Sequence, residues 1–192
     1  MKLGIFLTSA IEIDQRYVEQ TKSLAELLAK DGHEVVFGGT AYGLMRVLAD
    51  SYKEHGGKKL IGVFAKDLMV VTKNYLKSDK LDEACIEETM AGRKQKMMDL
   101  SDGFIVFPGG YGTMEEITAI VGGKVNKLYD KPITAFNIGG FYAHLEQQMQ
   151  HAYEEKFSKI SPGEVILFSD DLAHILSYME NYKKHELKDK FI

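Results

Sequence analysis

The chain has 192 residues, of which 45% are hydrophobic, and a formal charge of -4. That is enough apolar material for one domain with a full core, and the mild acidity argues against nucleic acid as the principal partner. No run of 18 or more apolar residues occurs, so no membrane span or membrane partner is expected, and the single cysteine, Cys85, has no internal disulfide partner. The chain opens directly on a strand-like run with no signal-peptide pattern, and a cytoplasmic location is the expectation.

In chain order, short apolar runs at 3–7, 34–37, 60–64, 103–107, 133–136 and 165–168 read as strands. Between them, segments 14–31, 42–55, 82–100, 113–127, 141–157 and 172–182 carry helix-like patterning. Asp14 is placed as the N-cap of the first helix, and Asp31-Gly32 stops it, with glycine just past the last turn. Strand–helix alternation predicts an α/β fold, a doubly wound parallel sheet with helices on both faces. Such sheets bind ligands beyond the carboxyl ends of their strands, where the glycine pairs after Phe37, Phe107 and Phe136 fall. A single domain over 1–192 is expected, with the charged tail 183–192 as a frayed helix end or exposed extension.

The first strand leads into Thr8-Ser9-Ala10 rather than G-x-G-x-x-G, and no G-x-x-x-x-G-K-[ST] occurs, which lowers the odds of a dinucleotide enzyme or a P-loop NTPase. After the second strand comes Gly38-Gly39-Thr40-Ala41-Tyr42-Gly43. Here Gly39 lets backbone approach a ligand, and Thr40 is placed to cap the next helix and donate to a phosphate. Taken alone, an ordinary strand-to-helix turn is the better explanation of this segment, since glycine is the default residue of tight turns.

The most informative segment is Pro108-Gly-Gly-Tyr-Gly-Thr-Met-Glu-Glu116, behind the apolar run Phe104-Ile-Val-Phe107. A strand, a glycine-rich turn and a helix N-terminus put several backbone N–H groups and the positive end of a helix dipole in one place, which suits a phosphate. Gly109, Gly110, Gly112 and Thr113 form this cradle, and Glu115 and Glu116 are read as lying in the first helical turn beside it. A structural alternative is a capping box, with Thr113 as N-cap and Glu116 reaching back to it. Upstream, Met90-Ala-Gly-Arg93-Lys94-Gln-Lys96-Met97 is expected to pack its methionines down while Arg93 emerges as a planar fork for an anion. A solvated basic helix face is the plainer reading of that run. His144 and His151, seven apart, read as surface residues, His33 as structural and Cys85 as inert. No metal and no cofactor is expected.

With these residues in view, the chain resembles the Lonely Guy (LOG) family of cytokinin riboside 5'-monophosphate phosphoribohydrolases, which also carries an older lysine decarboxylase label. The resemblance rests on Pro108–Glu116 as PGGxGTxxE and on Met90-Ala-Gly-Arg93-Lys94 as M-x-x-R-K. Gly38-Gly39-x-x-x-Gly43-Leu44-Met45, Ser101-Asp102-Gly-Phe-Ile, Lys131-Pro132 and Asn137-x-Gly139-Gly140-Phe141-Tyr142 also match. It implies a Rossmann-like fold, a homodimer with the active site near the subunit interface, and cleavage of the N-glycosidic bond of a nucleoside 5'-monophosphate such as AMP or an N6-modified AMP. Arg93 and Glu116 are the implied catalytic residues. Ser9, Gly39, Thr40, Met90, Lys94, Gly109, Gly110, Gly112, Thr113 and Glu115 are the implied substrate-binding set. The chain departs from the family pattern at Leu7-Thr8-Ser9 and across residues 119–129. The rival reading is a non-catalytic carrier of a nucleotide or phosphorylated cofactor. An amino-acid decarboxylase would need a lysine Schiff base and supporting partners that the motifs do not supply.

Overall fold

The computed structural model describes residues 1–72 and 75–188. They fall into two compact units that divide between Asp102 and Gly103.

The first unit runs β1 (Lys2–Phe6), α1 (Gln15–Lys30), β2 (Glu34–Phe37), α2 (Gly43–Glu54), β3 (Leu60–Ala65), α3 (Lys66–Val71), β4 (Glu83–Glu87) and α4 (Met90–Leu100). Its strands are parallel in the order β4-β3-β2-β1. β3 is buried at all six positions, the pattern of a strand covered on both faces. Asp14 caps α1 as expected, accepting from the Arg16 amide, and Gly32 takes the left-handed conformation just beyond its end. α1 buries Leu24, Ala25 and Leu28, and α2 buries Leu44, Leu48 and Tyr52; the two helices pack on each other.

The helix expected over 82–100 is in fact two elements. Glu83-Ala-Cys-Ile-Glu87 is an edge strand paired only with β3. Most of it is exposed, and alternating charge and small residues give it none of the apolar run by which buried parallel strands are read. Asp82 sets its start: its carboxylate accepts from the Leu60 amide at 2.6 Å, and its own amide donates to the Leu60 carbonyl. α4 then begins afresh, with Thr89 capping the Gly92 amide.

The second unit runs β5 (Gly103–Val106), α5 (Tyr111–Val125), β6 (Ile133–Phe136), a 3-10 turn (Ile138–Gly140), α6 (Ala143–Glu154), α7 (Pro162–Val165), β7 (Leu167–Ser169) and α8 (Leu172–Glu180). Its strands are parallel in the order β5-β6-β7. The last strand starts two residues later than expected, because Ser161 and Glu164 form a capping box with Pro162 at the first helical position, which commits Pro162–Val165 to a helical turn.

The tail departs from its expected exposed character. Residues 189–192 lie outside the described residues, but 182–188 form a strap docked on this unit. Leu187 is buried with Ile160 and Val165 against Val121 and Val125 of α5. Lys124, near the end of α5, is fully buried; its ammonium donates to the Tyr182 hydroxyl at 2.7 Å and lies 3.8 Å from Asp130. Tyr182 donates in turn to Asp130 at 2.5 Å, and the His185 amide donates to the other Asp130 oxygen at 2.7 Å. Burial alone would raise the Asp130 pKa, but the Tyr182 hydroxyl, the His185 amide and the Lys124 charge together hold it below the ordinary value. Burial lowers the pKa of Lys124, against the pull of Asp130.

A buried ammonium is stabilised only while its partners stay in place. Tyr182→Phe is therefore expected to cost about 1–3 kcal/mol, a melting-temperature fall of roughly 2–10 °C for a chain of this size. Lys124→Met should recover part of that loss in the same background, because it removes the charge that lost its partner. Because the folded Asp130 pKa is depressed, its contribution is complete above the unfolded value and fades as pH falls through the folded one. Thermal melts of the unmutated protein, of Tyr182→Phe and of the Tyr182→Phe/Lys124→Met double variant, at neutral pH and near pH 3, check this; an unchanged melting temperature for Tyr182→Phe would contradict it.

Candidate functional site

In the second unit, β5 leads through the buried residues Phe107 and Pro108 into Gly109 and then into α5. Gly110 is the N-cap, with extended backbone and no side chain to bond the helix start; the Met114 amide closes the first turn on the Gly110 carbonyl at 3.0 Å. The amides of Tyr111, Gly112 and Thr113 precede that bond and have no intrahelical acceptor. A Cβ built on Gly110 or Gly112 would meet nothing within 4 Å, whereas one on Gly109 would fall 2.2 Å from Thr113 Oγ1. Packing therefore demands glycine at 109, while Gly110 and Gly112 leave open room in front of the helix's positive end.

Two expectations are corrected here. The helix begins at Tyr111, so Thr113 is its third residue rather than its N-cap; it is buried, with its hydroxyl packed under Gly109. Glu115 and Glu116 consequently lie in the second turn, and the first turn holds no acid. With Thr113 inside the helix, Thr113-x-x-Glu116 is not a capping box, and that structural explanation of Glu116 falls away. The two glutamates separate cleanly: Glu115 is exposed, and Glu116 is 8% exposed.

Tyr142 completes this junction. It is 1% exposed, and its hydroxyl donates to the Phe107 carbonyl at 2.6 Å. Its amide donates to Asn137 Oδ1 at 2.7 Å, and its ring lies edge-on to Phe141 with centroids 5.0 Å apart. Burial, and then the charge of Glu116, push its phenol pKa well up. The sequence marked Tyr142 only as part of a matching segment, because a bond from 142 to 107 leaves no local signal.

In the first unit, Gly38 and Gly39 follow β2. A Cβ on Gly38 would sit 2.6 Å from an Arg93 guanidinium nitrogen and 2.8 Å from Met45 Sδ, and Gly39, at φ +76°, packs on the Phe64 ring. Thr40 does not cap α2: Tyr42 is the N-cap residue, and the Thr40 hydroxyl donates to Met45 Sδ at 3.2 Å. Ser9 is exposed, and the Ser9-Ala10 backbone lies where a Gly43 Cβ would be, within 2.3–2.5 Å.

On α4, Arg93 and Met97 are one turn apart on the inward face, 5% and 0% exposed. Arg93 Nε donates to the Val63 carbonyl of β3 at 2.8 Å. Met97 is packed down as expected, but Arg93 faces the sheet instead of emerging, and Met90 is 36% exposed rather than packed down. Lys94 is half-buried. Tyr75, which the sequence did not single out, lies edge-on to Phe64 at 6.1 Å; burial raises its pKa and the Arg93 charge opposes the rise.

The first unit thus gathers Gly39, Thr40 and Arg93 around the ends of β2 and β3. The second gathers Gly109, Gly110, Gly112, Thr113 and Glu116 at one strand–helix junction. His144 and His151 are exposed on α6, in keeping with a surface role. The Cys85 thiol is raised in pKa, first by burial and then by Glu83, as suits an unreactive residue. No helix among the described residues is long and apolar enough to cross a membrane.

The family model described as "Possible lysine decarboxylase" matches residues 45–179. A protein of Oryza sativa subsp. japonica named "Probable cytokinin riboside 5'-monophosphate phosphoribohydrolase" is 30% identical over 96% of this chain and 75% of its own length. A cytokinin riboside 5'-monophosphate phosphoribohydrolase of Arabidopsis thaliana is 28% identical over 94% of this chain and 82% of its own. Among solved structures, the molybdenum cofactor carrier protein of Chlamydomonas reinhardtii superposes with a TM-score of 0.69 over 94% of this chain and 97% of that one, at 17% identity. The molybdenum cofactor binding protein of Rippkaea orientalis does so with a TM-score of 0.66 over 93% and 95%, also at 17% identity. These structures establish the Rossmann-like α/β fold and nothing finer, whereas the matched model and the sequence relatives assign the chain to the Lonely Guy family, the one that carries the lysine decarboxylase description.

Proposed function

We propose that this protein hydrolyses the N-glycosidic bond of a nucleoside 5'-monophosphate, AMP or an N6-modified AMP, to the free base and ribose 5-phosphate. The observation that carries this reading is an uncapped, open helix N-terminus with a buried carboxylate one turn inside it. The amides at Gly110–Thr113 suit a phosphate. Positive charge develops at the anomeric carbon as its bond to nitrogen breaks, and an ionised Glu116 suits that charge. Water then supplies its oxygen to the anomeric carbon, and its proton leaves with the base. Binding energy from the remote phosphate holds the sugar in place for this step. Relatives named as phosphoribohydrolases of cytokinin riboside 5'-monophosphate support the same reaction class. Ser9, Gly39, Thr40, Met90 and Lys94 are proposed as further substrate contacts, with Glu115 as the fallback carboxylate. A homodimer in the cytoplasm belongs to this reading.

Incubation with AMP and with adenosine, followed by mass spectrometry, tests it. Adenine and ribose 5-phosphate from AMP, with little release from adenosine, is the expected result. Intact AMP that nonetheless binds would favour a carrier or binding protein, the roles named for the two solved proteins of the same fold.

Glu116→Gln should lower kcat by about 100-fold or more with the melting temperature retained; undiminished turnover removes Glu116 from the chemistry. Gly112→Ala meets no steric obstacle and should hold or raise the melting temperature by helix propensity, yet raise KM for AMP by closing the approach to the amides. Gly109→Ala should instead destabilise, through its clash with Thr113. Arg93→Ala separates two roles: a fall in kcat at saturating AMP marks transition-state stabilisation, and a rise in KM alone marks an anchor.

A further inference from the structure

We propose that Tyr142 is a positioning residue of this site: its hydroxyl fixes the main chain from which the glycine turn departs, and so sets the amide cradle against Glu116. The inference rests on the reaction proposed above.

Phe107 lies one residue beyond the end of β5 and is fully buried. A buried carbonyl needs a donor, and at the exit of a strand no continuing ladder supplies one. The Tyr142 hydroxyl does, at 2.6 Å. The next residues are Pro108, Gly109 and the helix cap Gly110, so the bond holds the last point before the chain turns into the cradle.

Tyr142 is itself held from three sides. Asn137 Oδ1 accepts from its amide, and the aromatic rings of Phe141 and Phe168 flank it. The segment carrying it turns sharply after β6, with Gly139 at φ +58° and Gly140 at φ +76°, backbone that glycine adopts without strain. A rigid turn after one strand thereby pins the exit of the neighbouring strand. Glu116 is near enough for its charge to act on the phenol, which stays neutral and able to donate. The buried hydroxyl thus anchors the main chain at the point where it leaves the strand for the glycine turn.

A purely structural tyrosine would cost only stability. A positioning residue disturbs geometry at the reacting atoms, where small displacements cost large factors. The test compares Tyr142→Phe, which keeps the ring and removes the hydroxyl, with Tyr182→Phe, which loosens the strap on the same unit. Both are expected to lower the melting temperature. Tyr142→Phe alone should lower kcat by at least about tenfold and weaken competitive inhibition by inorganic phosphate, measured well below both melting temperatures. Tyr182→Phe should stay within about twofold of the unmutated protein, the range expected where no contact at the reacting atoms is lost. If Tyr142→Phe keeps kcat and phosphate inhibition within that range, or loses them only as Tyr182→Phe does, the proposal is overturned.

Should the unmutated protein release no adenine, the hydrolase reading falls by itself. AMP affinity by calorimetry then decides the role of Tyr142: a tenfold loss in Tyr142→Phe upholds positioning of the cradle, and unchanged affinity refutes it.

Discussion

An α-helix cannot pair its first amides internally, and at the start of α5 the sequence supplies no side chain to pair them either. Gly110 occupies the position where serine, threonine, aspartate or asparagine would ordinarily accept from those amides. The helix start is left polar, positive and open, a configuration that suits an anion. The neighbouring features follow from keeping that arrangement rigid. Thr113 packs its hydroxyl under Gly109, Tyr142 holds the strand exit, and Glu116 is turned inward one turn along the helix. At the far end of α5 the strap closes over Lys124 and Val125. The helix is tied at both ends, by contacts of different character.

The sheet was largely legible in the sequence because fully buried parallel strands read as continuous apolar runs. β2 and β6 have the expected bounds. β4 was not legible, since an exposed edge strand such as Glu83-Ala-Cys-Ile-Glu87 has no reason to be apolar, and its residues merged into the pattern of the helix that follows. The cradle was legible as a motif but not in register. Thr113-x-x-Glu116 mimics a helix start so well that the true start, three residues earlier with Gly110 as N-cap, was hidden behind it. Arg93 shows the limit of composition: in a run of basic residues only helix register, which places it one turn from Met97, tells the buried cation from the solvated ones. Tyr142 and the strap depend on bonds between residues far apart in sequence, and no local pattern announces them.

Fold and function point with different sharpness here. Two solved proteins that share the architecture over nearly the whole chain are named for carrying or binding molybdenum cofactor, while the sequence relatives are named as phosphoribohydrolases. A fold of this class hosts many activities, so the decision rests with the side chains. A carrier needs the amide cradle. A carboxylate 8% exposed within a turn of that cradle is the feature that the hydrolase proposal uses and that a carrier reading leaves without a role.

The most direct measurement of this account is the structure of the protein with ribose 5-phosphate, the product that it would release and not consume. The phosphoryl oxygens should lie within hydrogen-bond distance, roughly 2.7–3.2 Å, of the amides at the start of α5, with the anomeric carbon facing Glu116. A phosphoryl group seated away from Gly110 and Gly112, with the sugar turned from Glu116, would contradict the account at its foundation.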